Sequence, residues 1–282
     1  MSFSPEIKKI IDSKGKKQIS MLTCYDYTFA RVLSATDIDM ILVGDSMANV
    51  VLGLETTKEI GFREMLAHTA AVKKGAPEKF VVADMPYNCC QRNRKKTLSY
   101  ARAFIEEGGA DAVKLEWFKS CPQVCAELTS AGIPVMGHIG LTPQTADKIG
   151  GFKVQGKDQK RGLELIEQAR IFQENKVFSL VLECVPWKLA QLISSEIAVP
   201  TIGIGSGKYC DGQVLVFHDL LGLYTRKVPK FVKAYADLAG QICSAADNFS
   251  REVKQGKFPS EKESYSLDEE EFKKIKKNMK KT

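Results

Sequence analysis

Two charged residues sit in a stretch that otherwise reads as buried strand, Asp111-Ala-Val-Lys-Leu-Glu116. In an extended chain residues i and i+2 project from one face, so Lys114 and Glu116 point together while Val113 and Leu115 point the other way. Charged side chains are seldom fully buried unless paired or put to use, so this is either a structural ion pair or part of a site. Further polar residues recur where comparable apolar runs end: Gly44-Asp45-Ser46, Ala83-Asp84-Met85, Gly137-His138, Leu182-Glu183-Cys184 and His218-Asp219. Asp45 or Asp84 alone would also serve as a helix cap. Several carboxylates converging on one lysine repel unless a cation or protons offset them. Hard oxygens without a matching His/Cys set point to Mg2+, which takes a few carboxylates and keeps waters for a substrate to displace.

That chemistry suits a small 2-oxo acid. One Mg2+ among these carboxylates, beside the lysine, can chelate its keto and carboxylate oxygens. Lys114 can pair with the carboxylate, and Lewis-acid polarisation then acidifies the adjacent C–H. The base that takes this proton needs a pKa near neutrality. Glu183, framed by apolar Leu180-Val-Leu182 and Val185, can be raised by desolvation. His138 is the other candidate base, and equally a substrate contact or a structural hydrogen-bond partner. His68, mid-helix among alanines, reads as structural. Gly203-Ile-Gly-Ser-Gly207 is either a phosphate-binding loop or a tight β-α turn; it lacks the third glycine and acidic partner of a dinucleotide site.

These groups need a scaffold that gathers strand ends. Eight apolar runs read as strands: Ile19–Thr23, Met40–Val43, Phe80–Ala83, Ala112–Glu116, Val135–Ile139, Ser179–Glu183, Thr201–Ile204 and Val214–Phe217. They lack strict alternation, as parallel strands covered on both faces do. Amphipathic stretches lie between them, including Tyr27–Thr36, Lys58–Lys74, Leu98–Glu107, Pro122–Ala131, Gly162–Asn175, Trp187–Glu196 and Phe231–Lys254. Gly108-Gly109 and Gly132 stop helices ahead of strands. The expected fold is α/β, a (β/α)8 TIM barrel over residues 19–255, with catalytic groups at the C-terminal strand ends. Residues 1–18 form a lead-in helical segment, and residues 256–282 a polar, lysine-rich extension expected to be partly disordered. The long connection from Gly140 to Lys160 reads as a mobile lid.

Composition narrows the class. Hydrophobic residues make up 44% and charged residues 27% of 282 positions, ordinary globular values. No run of 18 apolar residues and no secretory h-region occur, so the expectation is a cytoplasmic protein that does not bind membranes. The eight cysteines form no Cys-x-x-Cys pair and are read as reduced. The net charge of +7 comes mostly from six lysines in residues 273–282, leaving about +1 for the rest. That tail reads as solvated, and the body carries no nucleic-acid signal.

Several strings then match a known family. Leu42-Val-Gly-Asp-Ser46, Ala67-His-Thr-Ala-Ala-Val72, Ala83-Asp-Met-Pro-Tyr87, Gly108-Gly-Ala-Asp-Ala-Val-Lys-Leu-Glu116, Gly137-His-Ile-Gly-Leu-Thr-Pro-Gln144, Gly150-Gly-Phe-Lys-Val-Gln-Gly156, Leu182-Glu-Cys-Val-Pro186 and Ile202-Gly-Ile-Gly-Ser-Gly207 occur in collinear order. Thr23-Cys-Tyr-Asp-Tyr27 and Phe217-His-Asp219 fit as well. Over about residues 15–260 the chain resembles ketopantoate hydroxymethyltransferase. The resemblance implies a Mg2+-dependent (β/α)8 barrel. It would transfer the one-carbon unit of 5,10-methylenetetrahydrofolate to 3-methyl-2-oxobutanoate, giving 2-dehydropantoate for pantothenate synthesis. It places substrate and metal at Asp45, Ser46, Asp84, Lys114 and Glu116 and the proton acceptor at Glu183. Beside that set, the residue reading keeps His138 as a candidate substrate contact. It also implies a homo-oligomer, often a decamer. Trp117-Phe118 replaces the family's usual Gly-Gly and is expected to reshape the mouth beside Glu116. Asn88-Cys-Cys90, with the basic run Gln91–Lys96, is a second departure.

Overall fold

Eight parallel strands close on themselves in the computed structural model, which describes residues 3–90, 96–223 and 228–279. They are β1 (Ile19–Thr23), β2 (Met40–Val43), β3 (Phe80–Asp84), β4 (Ala112–Glu116), β5 (Val135–Gly140), β6 (Ser179–Glu183), β7 (Thr201–Ile204) and β8 (Gly212–Leu215). The order around the barrel is the order in sequence, and β8 pairs with β1 through Met21 opposite Val214. The TIM-barrel expectation holds. Only β8 is displaced: it runs Gly212–Leu215, and Phe217 already opens a helical turn, Phe217–Leu220. The Thr23 hydroxyl accepts the Phe217 N–H at 2.9 Å, which takes that group out of strand pairing. His218 and Asp219 therefore lie just beyond a strand end.

The alternation on each strand sorts residues into two clusters. Met40, Leu42, Phe80, Val82, Ala112, Met136 and Val181 fill the barrel interior. Ile41, Val43, Val81, Val113, Leu115 and Leu180 face the helices. Helix α1 (Pro5–Asp12) adds Ile7 and Ile10 to the interior cluster, plugging the end where the strands begin. Its N-cap is Ser4, with proline at the first helical position. The interior is thus apolar at the bottom, and continuing the inward parity upward gives Asp84, Lys114, Glu116, His138 and Glu183.

The outer helices are α2 (Tyr27–Ser34), α3 (Phe62–Gly75), α4 (Thr97–Glu106), α5 (Cys121–Ser130), α6 (Gln159–Glu174) and α7 (Trp187–Glu196). Their starts are set by local chemistry. Asp26 accepts the Phe29 N–H at 2.8 Å, and Asp158 accepts the Arg161 N–H at 2.9 Å. The expected helix Lys58–Lys74 is split, because the Gly61 N–H donates to Glu64 and restarts the helix at Phe62. Residues 231–237, expected to be helical, are not; α8 spans Leu238–Lys254 and buries no residue. The C-terminal extension carries α9 (Glu269–Met279), also without buried residues. Among the described residues no helix is long and apolar enough to cross a membrane.

Two expectations about connections are corrected. Trp117 does not reshape the mouth: its ring meets Phe172 of α6 edge-on at 5.5 Å, and its N–H donates to the His138 carbonyl. The outward parity of that position sends it to the helix layer. The supposed lid from Gly140 is largely built into the wall. Its first part is a 3-10 helix, Pro143–Ile149, with Leu141, Thr142, Gln144 and Thr145 buried. The Leu141 and Gln155 N–H groups donate to the carbonyls of Glu183 and Cys184, anchoring both ends to β6. Of the basic run 91–96, residues 91–95 lie outside the described residues.

Candidate active site

The register of the strands brings the polar residues together. Asp84 of β3 pairs with Lys114 of β4, Glu116 with His138 of β5, and Gly140 with Glu183 of β6. Asp45 lies just past β2, before a short helical turn at Met47–Val50. No side chain caps that turn, so Asp45 is not spent as a cap. All seven residues expected at the site, Asp45, Ser46, Asp84, Lys114, Glu116, His138 and Glu183, line one cavity of about 320 Å³.

Their contacts are short and specific. Lys114 Nζ lies 2.6 Å from Asp84 Oδ1 and 3.2 Å from His138 Nδ1. Asp84 Oδ2 accepts the Asp45 N–H at 2.8 Å. Tyr25 OH and Ser46 Oγ share a hydrogen bond at 2.9 Å. Glu183 approaches His138 Nε2 at 3.3 Å, and Glu116 approaches His138 Nδ1 at 3.6 Å. Burial, helped by Lys114, drives His138 well below its usual pKa, so the imidazole is neutral and neither approach is an ion pair. His68 Nδ1–H donates to the Tyr25 carbonyl and stands outside the cavity, consistent with a structural role.

Burial dominates the electrostatics, and acid crowding adds to it. Burial and the neighbouring Asp84 raise Asp45 to about 7. Burial and Asp45 push Glu116 well above the carboxylate range. Burial raises Glu183 to about 8, with Lys114 opposing. Burial alone would lower Lys114, but Asp84, Glu116 and Asp45 together hold it above the ordinary ammonium value. Four carboxylates thus face one ammonium.

This donor set fits a hard divalent cation. Glu116 Oε1 is buried without a hydrogen bond among the described residues, and every candidate ligand atom is carboxylate oxygen. Asp45, Asp84 and Glu116 nonetheless form no ready cage: no group of three or more His, Cys, Asp or Glu among the described residues is spaced to hold a metal by itself. Mg2+ tolerates this, since it is usually held by one or two carboxylates plus waters and substrate oxygens.

Gln144 has a part that the residue types did not reveal. Its side-chain amide donates to Asp45 Oδ2 at 2.9 Å and to the Met85 carbonyl at 3.0 Å, while its N–H donates to Glu116 Oε2 at 3.0 Å. It is buried, and it leaves Glu116 Oε1 without a hydrogen bond among the described residues. The only sequence signal was its place in the Gly137–Gln144 string. Just after Glu183, Cys184 adopts a left-handed φ of +50°, a conformation L-residues hold only under constraint. Gly140, at φ +97°, has no room for a Cβ, which would come within 2.2 Å of the Glu183 carbonyl oxygen.

The glycine-rich turn resolves as structural. Ser206 donates to the Leu182 carbonyl at 2.7 Å and accepts the Val185 N–H at 3.1 Å, tying β7 to β6. The assembly as a whole can bind an anion beside a cation and remove a proton from carbon within a largely apolar enclosure.

Comparisons with known proteins agree with the geometry. A phosphoenolpyruvate phosphomutase from Streptomyces platensis subsp. rosaceus superposes with a TM-score of 0.61 at 12% identity, covering 99% of each chain. A 2,3-dimethylmalate lyase of the PEP mutase/isocitrate lyase superfamily superposes at 0.56 and 12% identity, covering 99% of this chain and all of that one. These place the fold. Much nearer in sequence is 3-methyl-2-oxobutanoate hydroxymethyltransferase. The protein of that name from Carboxydothermus hydrogenoformans is 48% identical over 92% of this chain and 94% of its own. That from Clostridium botulinum strain Alaska E43 is 45% identical over 93% and 95%. A sequence model described as ketopantoate hydroxymethyltransferase matches residues 5–261, all eight strands and every site residue included, and the chain belongs to that family.

Proposed function

We propose that this hydroxymethyltransferase works by removing the C3 proton of 3-methyl-2-oxobutanoate with Glu183. The resulting enolate takes up the one-carbon unit of 5,10-methylenetetrahydrofolate: the new C–C bond forms at that carbon, both of its C–N bonds break, water supplies the hydroxyl oxygen of 2-dehydropantoate, and tetrahydrofolate leaves with its nitrogens protonated. The observation that carries this reading is Glu183, a carboxylate raised to about 8 at the end of β6, on the cavity that Lys114 and the acid cluster share. A base with a pKa near the working pH combines ionisation with proton affinity.

Lys114 pairs with the substrate carboxylate, and Ser46, oriented by Tyr25, donates to it. Asp45 and Asp84 would hold Mg2+, with Glu116 contributing directly or through water, and Gln144 fixes one oxygen each of Asp45 and Glu116. When bound, the ion polarises the keto group and stabilises charge on its oxygen. Neutral His138 lies between Lys114 and Glu183, where it contacts substrate and positions the base. The apolar part of the cavity excludes water around the reacting carbon.

The test is proton exchange at C3 in deuterated water without folate, followed by NMR. Enzyme with Mg2+ should wash out the C3 proton; a chelator should stop this and added Mg2+ restore it. An enzyme that completes transfer yet shows no exchange would sink the enolate route.

The reading includes self-association in the cytoplasm. Helix α8 exposes Ile242, Phe249 and Val253 at four- and seven-residue spacing, an apolar stripe that no part of the barrel covers. A second copy is the occupant that fits a family of homo-oligomers, a decamer being the expected size. Light scattering on the full chain should give a mass several times that of the monomer; a monomer at micromolar concentration would remove this part.

A further inference from the structure

The cavity has two unlike walls, and the chemistry above uses only one. Asp45, Asp84, Lys114, Glu116, His138 and Glu183 form the polar side. On the β7–β8 side, Ile204, Val214, Val216, Pro229 and Phe231 line the same cavity as an apolar group that carries one carboxylate, Asp219. Asp219 stands on the helical turn Phe217–Leu220 that follows β8. Its Oδ1 is buried with no hydrogen-bond partner among the described residues, and burial raises its pKa. An acceptor left so is costly unless a ligand brings the donor.

The 2-oxo acid cannot be that ligand. Its carboxylate and keto groups only accept hydrogen bonds, and the rest is alkyl. The co-substrate differs. A reduced pterin is a flat bicyclic ring whose 2-amino-4-oxo edge presents two adjacent N–H donors, the ring N3–H and the 2-amino group. That spacing matches the two oxygens of a carboxylate.

The surroundings suit a flat ring. Phe231 lies on the glycine-rich turn, where Gly205 has φ +64° and a Cβ would come within 2.6 Å of the Phe231 ring. Absence of a side chain at Gly205 lets the aromatic ring lie down on the turn. Phe152 lines the same cavity from the loop after β5 and is 71% exposed, offering a second aromatic face.

We propose that Asp219 is the pterin-recognition residue, accepting both N–H groups of the 2-amino-4-oxo edge, with Phe231 as the surface on which the ring lies. The inference rests on the proposed folate-dependent reaction. It gives each wall its own substrate: the oxo acid beside Lys114, and the pterin beside Asp219.

Two measurements on the full-length enzyme decide it. Calorimetric titration with tetrahydrofolate should show Asp219→Asn binding about 10–100-fold more weakly, because the amide turns a donor toward a donor edge. Phe231→Ala should weaken the same binding, while Phe231→Tyr, which keeps the ring, should restore it. In Asp219→Asn, one-carbon transfer should fall while folate-free C3 exchange persists, a split that a merely structural role would not produce. Unchanged tetrahydrofolate affinity overturns the proposal, as does exchange lost in step with transfer. Failure of the parent reading is separate: it appears as absent exchange in the unsubstituted enzyme, and the folate titration still decides Asp219.

Discussion

Glu183→Gln is expected to lower both C3 exchange and one-carbon transfer by about 100- to 10,000-fold, the usual worth of a positioned general base. Glutamine keeps the size and one acceptor oxygen of the side chain but cannot take a proton. Folding and oxo-acid binding should persist, since Glu183 has 16% side-chain exposure and its side chain pairs, among the described residues, with the neutral His138. The pH dependence gives a sharper check. The base must be ionised to act, and burial holds Glu183 at about 8, so the rate climbs as pH rises and levels off above that value. A bound cation favours the carboxylate and moves this limb to lower pH, never higher. The limb should vanish in the variant. Normal exchange in Glu183→Gln would transfer the role to His138.

Lys114→Met should do comparable damage in a different way. The thioether matches the length of the lysine stem, but Asp84 Oδ1 loses the ammonium 2.6 Å away, and Asp45, Glu116 and Glu183 lose the positive charge that opposes the rise in their pKa. Removing one partner of a buried ion pair typically costs about 3–5 kcal/mol. The sign of the pH effect follows from the acids. Asp45 is raised to about 7, so the folded state holds a proton that the unfolded chain releases earlier, and its contribution to stability falls as pH rises through that window. Without Lys114 the acids are raised further, and the deficit should widen toward alkaline pH. Added Mg2+ should recover part of it, and KM for the oxo acid should rise with the loss of its carboxylate partner. Urea denaturation at two pH values, with and without Mg2+, checks this. A variant as stable as its parent with unchanged KM would make Lys114 a bystander.

Much of the barrel was legible because it is built from local signals. Seven of the eight strand expectations lie within a residue of the observed limits, since apolar runs flanked by glycine and proline turns are local features. The eighth slipped because Val214–Phe217 is as apolar as any strand, and what ends it is a hydroxyl on Thr23, at the other end of the chain. The connection after β5 was misjudged for a similar reason. Its glycines suggested mobility, yet its buried face and its bonds to the carbonyls of Glu183 and Cys184 make it wall.

The site divides along the same line. That Lys114 and Glu116 share a face follows from the two-residue repeat of any extended chain, so the sequence alone determined it, together with the strand-end placement of Asp45, Asp84, His138 and Glu183. Only tertiary structure decided what those residues became. Gln144 reaches Asp45 across 99 positions, Lys114 chooses Asp84 over Glu116 as its nearest acid, and Asp219 ends among the apolar residues of the β7–β8 side rather than in the acid cluster. Interactions of this kind depend on distance through space and on exclusion of water. Residue order sets neither until the barrel closes, and it is the burial that closure brings that raises Asp45 to about 7 and Glu183 to about 8.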